Sequence, residues 1–291
     1  MRNISRRLAL LTAALLTWCS LSSLARGQDG AVGSLENRGN AGAIVGVEGI
    51  EMYYETSGQG EPLVLLHGFG GSGSVWNQFV PELSNHYRVI VPDLRGHGRS
   101  TNPSDEFTHR QSARDIFALL DRLAIRRVRG MGISTGGMTL LHMATRDPAR
   151  IEAMILIGAT IYFPEPARAI MRRSTVESLT PDDFGRMRRI HKHGDEQIRS
   201  LRRQFHAFKD SYDDMNFTGP FLSTITARTL IVHGDRDEFF PVSIPVEMYQ
   251  SIPRAALWIM PNGGHVPIHD PTLPFLPKAL DFFRNATNNT R

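Results

Sequence analysis

A series of short strand-like runs constrains this chain most. Pro62–Leu66 (PLVLL) is continuously apolar, and residues 87–91, 127–131, 151–158, 227–232 and 256–260 read as further short strands. Runs without polar alternation are the mark of strands buried on both faces of a parallel sheet. Between them lie stretches with helical spacing: residues 75–83, 108–123, 135–146, 242–251 and 274–284. In the second of these Ile116, Phe117, Leu119, Leu120 and Leu123 gather on one side. Alternating strand and helix predicts an α/β fold, a mostly parallel sheet covered on both faces by helices. Residues 43–47 and 51–56 read as an early strand pair turning at Glu48-Gly49.

The alternation is interrupted once. From Ile161 to Leu222 the strand signal vanishes and helical spacing takes over. That segment is expected to be a helical cap over the sheet's carboxyl edge. The expected organisation is a core of 43–160 and 223–287, a cap of 161–222 and a tail of 288–291. A length of 291 residues suits one large domain with an insertion.

One strand runs straight into Gly132-Ile133-Ser134-Thr135-Gly136, a G-x-S-x-G nucleophile-elbow pattern. A sharp strand-to-helix turn brings backbone so close that a Cβ would collide, hence the flanking glycines. Ser134 at its apex would stand clear of the sheet, facing the first free N–H groups of the next helix. Three further stretches end strands where such a serine needs partners. His67-Gly68-Phe69-Gly70-Gly71 is a glycine-rich loop able to turn amides inward, and acyl transfer needs two donors for its oxyanion. We assign these to the N–H groups of Phe69 and Thr135. His233-Gly234-Asp235-Arg236-Asp237 offers a carboxylate to orient a histidine, and Asp237 is preferred over Asp235, read as loop-capping. Asn262-Gly263-Gly264-His265 places a histidine on a free loop to act as general base and then acid. Protonation of His265 is then expected to quench activity in acid.

The order Ser134, Asp237, His265 is the one expected of α/β hydrolases. HGFGGSGSVW, PDLRGHGRS, GISTGGM, HGDRDEFFP and GGH resemble the signatures of the α/β-hydrolase superfamily, its capped, esterase-like branch. The likeness runs from Ala43 to Phe283. It implies the fold, a catalytic Asp four residues before Pro241, and a cap that shapes an acyl pocket. Epoxide hydrolases and haloalkane dehalogenases of this fold carry Asp at the elbow. Ser134 instead implies an acyl-enzyme and ester, lactone or thioester substrates. The Ser-Thr-Gly-Gly run is also similar to cofactor-free haloperoxidase/perhydrolase esterases, the alternative reading. A non-catalytic ligand-binding member of the fold is the alternative of another class.

The N-terminus carries a different message. Arg2, Arg6 and Arg7 precede an uncharged stretch, apolar to Leu16 and Ser-rich after Trp18. That order predicts a signal peptide, residues 1–27, cut after Ala25 or Gly27, and export to the periplasm or medium. A flexible leader of residues 28–42 should follow. The signal holds four arginines and no acid; without them 29 of the 33 basic residues remain, against 29 acidic. No basic excess then points to nucleic acid or to an anionic membrane, and no stable membrane anchor is expected after cleavage. Cys19, the one cysteine, also leaves, which excludes disulfides and thiol chemistry. Neither a metal nor an organic cofactor is expected; the expected partner is a small-molecule ester.

Other residues receive structural readings. His67 should order the oxyanion loop, and Asp93, Arg95 and His97 should build a turn. Pro267 separates His265 from His269 and argues against a shared helix face for a metal. His191 and His193 are expected on a solvated cap helix. The cap arginines (Arg168, Arg172, Arg173, Arg186, Arg188, Arg189, Arg199, Arg202 and Arg203) are expected to pair with the cap's own acids rather than with substrate. Phe205, Phe208, Phe217 and Phe221 are expected to dock the cap.

Overall fold

The computed structural model describes residues 41–270 and 273–284. The expected signal peptide, most of the leader and the tail lie outside the described residues. The strands are β1 (Ala41–Val47), β2 (Ile50–Ser57), β3 (Pro62–Leu66), β4 (Arg88–Pro92), β5 (Val128–Ile133), β6 (Ile151–Ile157), β7 (Arg228–Gly234) and β8 (Ala255–Met260). They form one sheet in the order β1-β2-β4-β3-β5-β6-β7-β8. β1, β2 and β4 pair antiparallel, and every pairing from β4 to β8 is parallel. β1 begins at Ala41 and so takes in two residues expected in the leader. Glu48 and Gly49 both have positive φ, which suits a two-residue hairpin between Val47 and Ile50.

The helices are α1 (Val80–Leu83), α2 (His109–Arg122), α3 (Thr135–Arg146), α4 (Glu165–Arg173), α5 (Pro181–Ile190), α6 (Gly194–Ala207), α7 (Gly219–Leu222), α8 (Ser243–Ser251) and α9 (Phe275–Arg284). Local chemistry sets their ends. The Thr108 hydroxyl accepts the Gln111 N–H at the start of α2, and Thr180 and Asp183 form a capping box on α5. The helix expected over 75–83 is instead a 3-10 turn, Gly73–Trp76, followed by α1. Pro81 is the reason: it cannot donate inside a continuous helix but is tolerated in a first turn.

The parallel strands are buried on both faces, as their sequences require. On one face Val64, Leu66, Met154 and Leu156 pack with α2 and α3 residues such as Ile116 and Leu140. On the other, Leu63, Leu65, Ile155 and Val232 pack with Trp76, Phe275 and Phe283. Each buried leucine of this kind contributes roughly 1.5–3 kcal/mol by leaving water. Between β6 and β7 come α4 to α7, with an isolated bridge from Tyr162 to Asn216 where the segment leaves and rejoins the core. Strand order reverses at β3, which lies between β4 and β5. The carboxyl ends of β3 and β5 therefore flank a switch point, the crevice where open α/β sheets bind ligands.

Candidate active site

Ser134 sits at that crevice. Its φ of 49° and ψ of −114° are a conformation that few side-chain-bearing residues adopt. The turn is held at both sides: the Ser134 N–H donates to Ile157 O at 2.7 Å, and its carbonyl accepts the Met138 N–H at 2.9 Å. The flanking glycines are obligatory. A Cβ on Gly132 would lie 2.4 Å from the Gly136 carbonyl carbon, and one on Gly136 would lie 2.3 Å from Leu66 O. Backbone cannot give way as a side chain can, so the turn tolerates nothing larger.

The structure brings Ser134, Asp237 and His265 together. His265 Nε2 is 3.0 Å from Ser134 Oγ, and its Nδ1 is 2.8 Å from Asp237 Oδ2. The Asp237 side chain is fully buried, and its other oxygen accepts the N–H groups of Phe239 at 2.8 Å and Phe240 at 3.1 Å. Burial alone would raise its pKa. The charge and hydrogen bond of His265, the charge of His233 and the Phe239 N–H outweigh that and hold the carboxyl below the usual range. Asp237 therefore faces the imidazole as an anion, which fixes the proton on Nδ1 and leaves Nε2 to accept from the serine. Asp235 is exposed, and its backbone closes the loop onto Met260 O at 3.2 Å. Phe239 and Phe240 pack on the His265 ring, with centroids 4.6 and 5.2 Å away.

The loop after β3 forms the opposite wall. A Cβ on Gly68 would lie 3.5 Å from the Ser134 Cβ, so the loop passes beside the serine at Gly68. Thr135 is the first residue of α3, and first-turn N–H groups have no acceptor within their helix. His67 is fully buried; its Nδ1–H donates to Gly68 O at 2.8 Å, while Nε2 accepts the Leu94 N–H at 2.9 Å. Burial lowers its pKa and keeps it neutral. It orders the loop and does not reach the chemistry. Asp93, Arg95 and His97 build the neighbouring turn: Asp93 accepts the N–H groups of Gly73 and Arg99, and Arg95 is buried in a bidentate pair with Asp115.

Sequence reasoning missed two histidines. His233 lies behind Asp237, Nε2 3.6 Å from Oδ2, and donates to Phe240 O at 2.8 Å. It shapes the loop that carries the carboxylate, a role no spacing signals. His191, expected in solvent, is 2% exposed and contacts the loop after β3. It lies not inside a helix but at the C-cap of α5 and turns inward, whereas His193, the N-cap residue of α6, is exposed as expected.

The cap meets the core through rings and ion pairs. Phe69 packs on Phe107, Phe205 and Phe208 with centroids 5.3, 5.6 and 5.1 Å away. Phe217 is buried, and Phe221 is 44% exposed while stacked on it. Arg172, Arg186, Arg188, Arg199 and Arg203 each sit on a protein carboxylate. Arg168 is buried among the backbone carbonyls of Phe163, Phe208, Lys209 and Ser211. His269 pairs through Nδ1 with Gln78 at 2.6 Å, away from His265. Among the described residues no group of His, Cys, Asp and Glu could hold a metal ion.

A switch-point serine on a strained turn after β5, backed by a buried aspartate after β7 and a histidine after β8, defines a hydrolase of the α/β type. Residues 63–276 match the model of the alpha/beta hydrolase family, and the chain belongs to it. It is a hydrolase. It is 29% identical over 275 residues to the 2-hydroxy-6-oxononadienedioate/2-hydroxy-6-oxononatrienedioate hydrolase 2 of Pseudomonas putida, covering 81% of this chain and 92% of that protein. It is 28% identical to the serine hydrolase BPHL of Mus musculus, covering 77% of this chain and 79% of the relative. Among solved structures, the enol-lactonase of Burkholderia xenovorans LB400 matches with a TM-score of 0.69 and 25% identity, over 84% of this chain and 100% of that one.

Proposed function

We propose that this protein is an exported serine hydrolase that cleaves small or medium carboxylic esters or lactones through an acyl-enzyme. Ser134 Oγ attacks the carbonyl while His265 Nε2 takes its proton. The Phe69 and Thr135 N–H groups hold the oxyanion, and Asp237 stabilises the imidazolium. The imidazolium then protonates the leaving alkoxide, and water repeats the sequence to release the acid. The observation that carries this reading is the hydrogen-bonded chain Ser134 Oγ–His265–Asp237, at 3.0 and 2.8 Å, with Phe239 and Phe240 packed on the imidazole. The pairing of five cap arginines, Arg172, Arg186, Arg188, Arg199 and Arg203, with protein carboxylates favours an uncharged ester over a diacid. The likeness to the enol-lactonase points the same way.

The likeness to the dienedioate hydrolase favours a second reading. There the same serine and histidine would act on a 6-oxo dienoic acid. Incubation of the mature protein and Ser134→Ala with a fluorophosphonate, p-nitrophenyl esters of rising chain length and a 2-hydroxy-6-oxo-dienoate separates the two. Labelling and ester turnover lost together in the variant support the first reading. Turnover of the dienoate alone supports the second. No labelling of folded wild type would leave a ligand-binding role for the fold. Export is tested by sequencing the N-terminus of protein recovered outside the cytoplasm, with Arg26 or Gln28 expected first.

A further inference from the structure

His191 belongs to the cap, yet its ring lies against the loop that carries Phe69. Its Nδ1 accepts the Gly98 N–H at 3.0 Å, so the ring proton must sit on Nε2, which donates to Gly70 O at 3.1 Å. The tautomer is set by a backbone donor, which has no alternative role. The cap also grips the loop after β4, through the Lys192 N–H, which donates to Gly98 O at 2.9 Å. His191 itself is anchored to α5 by its own N–H, which donates to Met187 O at 2.8 Å.

The Gly70 carbonyl belongs to the peptide whose N–H is that of Gly71. That N–H donates to Gly68 O at 3.1 Å, closing a turn in which Gly70, at φ +75°, occupies the position needing left-handed backbone. Gly68 O belongs in turn to the peptide whose N–H is that of Phe69. Because a trans peptide points its C=O and N–H in opposite directions, fixing Gly68 O aims the Phe69 N–H. His67 Nδ1–H donates to the same oxygen, so the peptide is held from two sides. The result is an unbroken series: His191 Nε2–H to Gly70 O, Gly71 N–H to Gly68 O, and the Phe69 N–H assigned above to the oxyanion. Hydrogen bonds in series polarise one another and strengthen the last donor.

We propose that His191 is a positioning residue for the oxyanion hole, through which the cap orients and polarises the Phe69 amide by way of two intervening peptides. The proposal rests on the serine-hydrolase reading of Ser134 and Phe69. It makes cap docking a condition for full transition-state stabilisation, so a cap that shifts on substrate entry changes the rate as well as the pocket.

The test measures kcat and KM on a p-nitrophenyl ester, and inhibition by an alkyl trifluoromethyl ketone whose adduct places an oxyanion in the hole. Active sites are titrated with fluorophosphonate so that misfolded protein does not count. Relative to wild type, His191→Ala should lower kcat per titrated site about tenfold or more, approaching the loss of one oxyanion donor. KM should stay within about twofold, and the ketone should weaken by the factor lost from kcat. His191→Gln keeps a donor in reach of Gly70 O and should recover most of both. His191→Asn places its Oδ1 to accept the Gly98 N–H while its Nδ2 falls short of Gly70 O, and it should not. Should the Ala variant fail to fold, equal kcat in the Gln and Asn variants would overturn the proposal, as would an Ala variant with unchanged kcat and ketone affinity. Turnover surviving in Ser134→Ala would overturn the serine mechanism itself, and this proposal with it.

Discussion

Ser134 Oγ and His265 Nε2 lie 3.0 Å apart although 131 residues separate them in the chain. What closes that gap is the sheet: β5 ends at Ile133 and β8 ends at Met260, on the same edge. The serine rises on a strained turn, and the histidine hangs from a loop pinned by a buried aspartate. Each consequence below can be measured on the purified protein.

Asp237 and Asp235 make a matched pair. Asp237→Asn removes the anion that fixes the His265 tautomer, and kcat on esters should fall by about 10⁴ with little change in KM. Asp235→Asn, altering an exposed side chain, should leave kcat within about twofold of wild type. Equal losses in the two variants would remove Asp237 from its proposed role.

Gly132→Ala and Gly136→Ala should each prevent a native elbow. The added carbon would meet backbone at 2.4 and 2.3 Å respectively, where no rotamer change helps. Insoluble protein, or soluble protein without fluorophosphonate labelling, is expected. An active Gly136→Ala enzyme would show that the turn is looser than its geometry.

Arg168 ties α4 to four backbone carbonyls at the end of the cap, from Phe163 to Ser211. Lysine cannot span them with its single ammonium group. Arg168→Lys should cost about 2–3 kcal/mol in urea unfolding, since charged donors to buried carbonyls are each worth about 1.5–3 kcal/mol. Loss of stability with kcat per active site retained is the expected pattern.

Acid should destabilise the fold through its buried imidazoles. Burial pushes His191 and His142 from the ordinary 6.5 down to about 4, and it lowers His67, His97 and His233 as well. Between pH 6.5 and 4 the unfolded chain takes up protons that the folded one refuses. The stability they contribute is therefore complete above 6.5 and is lost as pH falls. Near pH 5 that is about 2 kcal/mol for each of His191 and His142. Urea midpoints should drop between pH 7.5 and 5, and less steeply in His191→Gln. A flat profile would contradict neutral burial.

The sheet, its helices and the turn around Ser134 were legible in the residues because each is a local decision. A run such as PLVLL, five residues long and followed by a glycine-rich loop, reads as a strand buried on both faces. Gly132 and Gly136 announce a close approach, and strand ends place Phe69, Asp237 and His265 on one edge once the alternation is recognised. Tertiary structure alone decided what depends on partners far away in the chain. His191 read as a solvated helix residue because nothing near it in sequence shows that Gly98 and Gly70 wait across the interface. His233 gave no signal either, since its partners are a carboxylate and a carbonyl on a loop whose path the sequence leaves open. Pairing of cap arginines with the cap's own acids was expected, and four of them sit on Glu165, Asp183, Asp195 and Glu196, but only the tertiary structure shows that Arg203 also reaches Asp105 in the core. Patterning is set by burial and backbone sterics, which act over a few residues, whereas hydrogen-bond partners are set by packing, which acts across the whole fold.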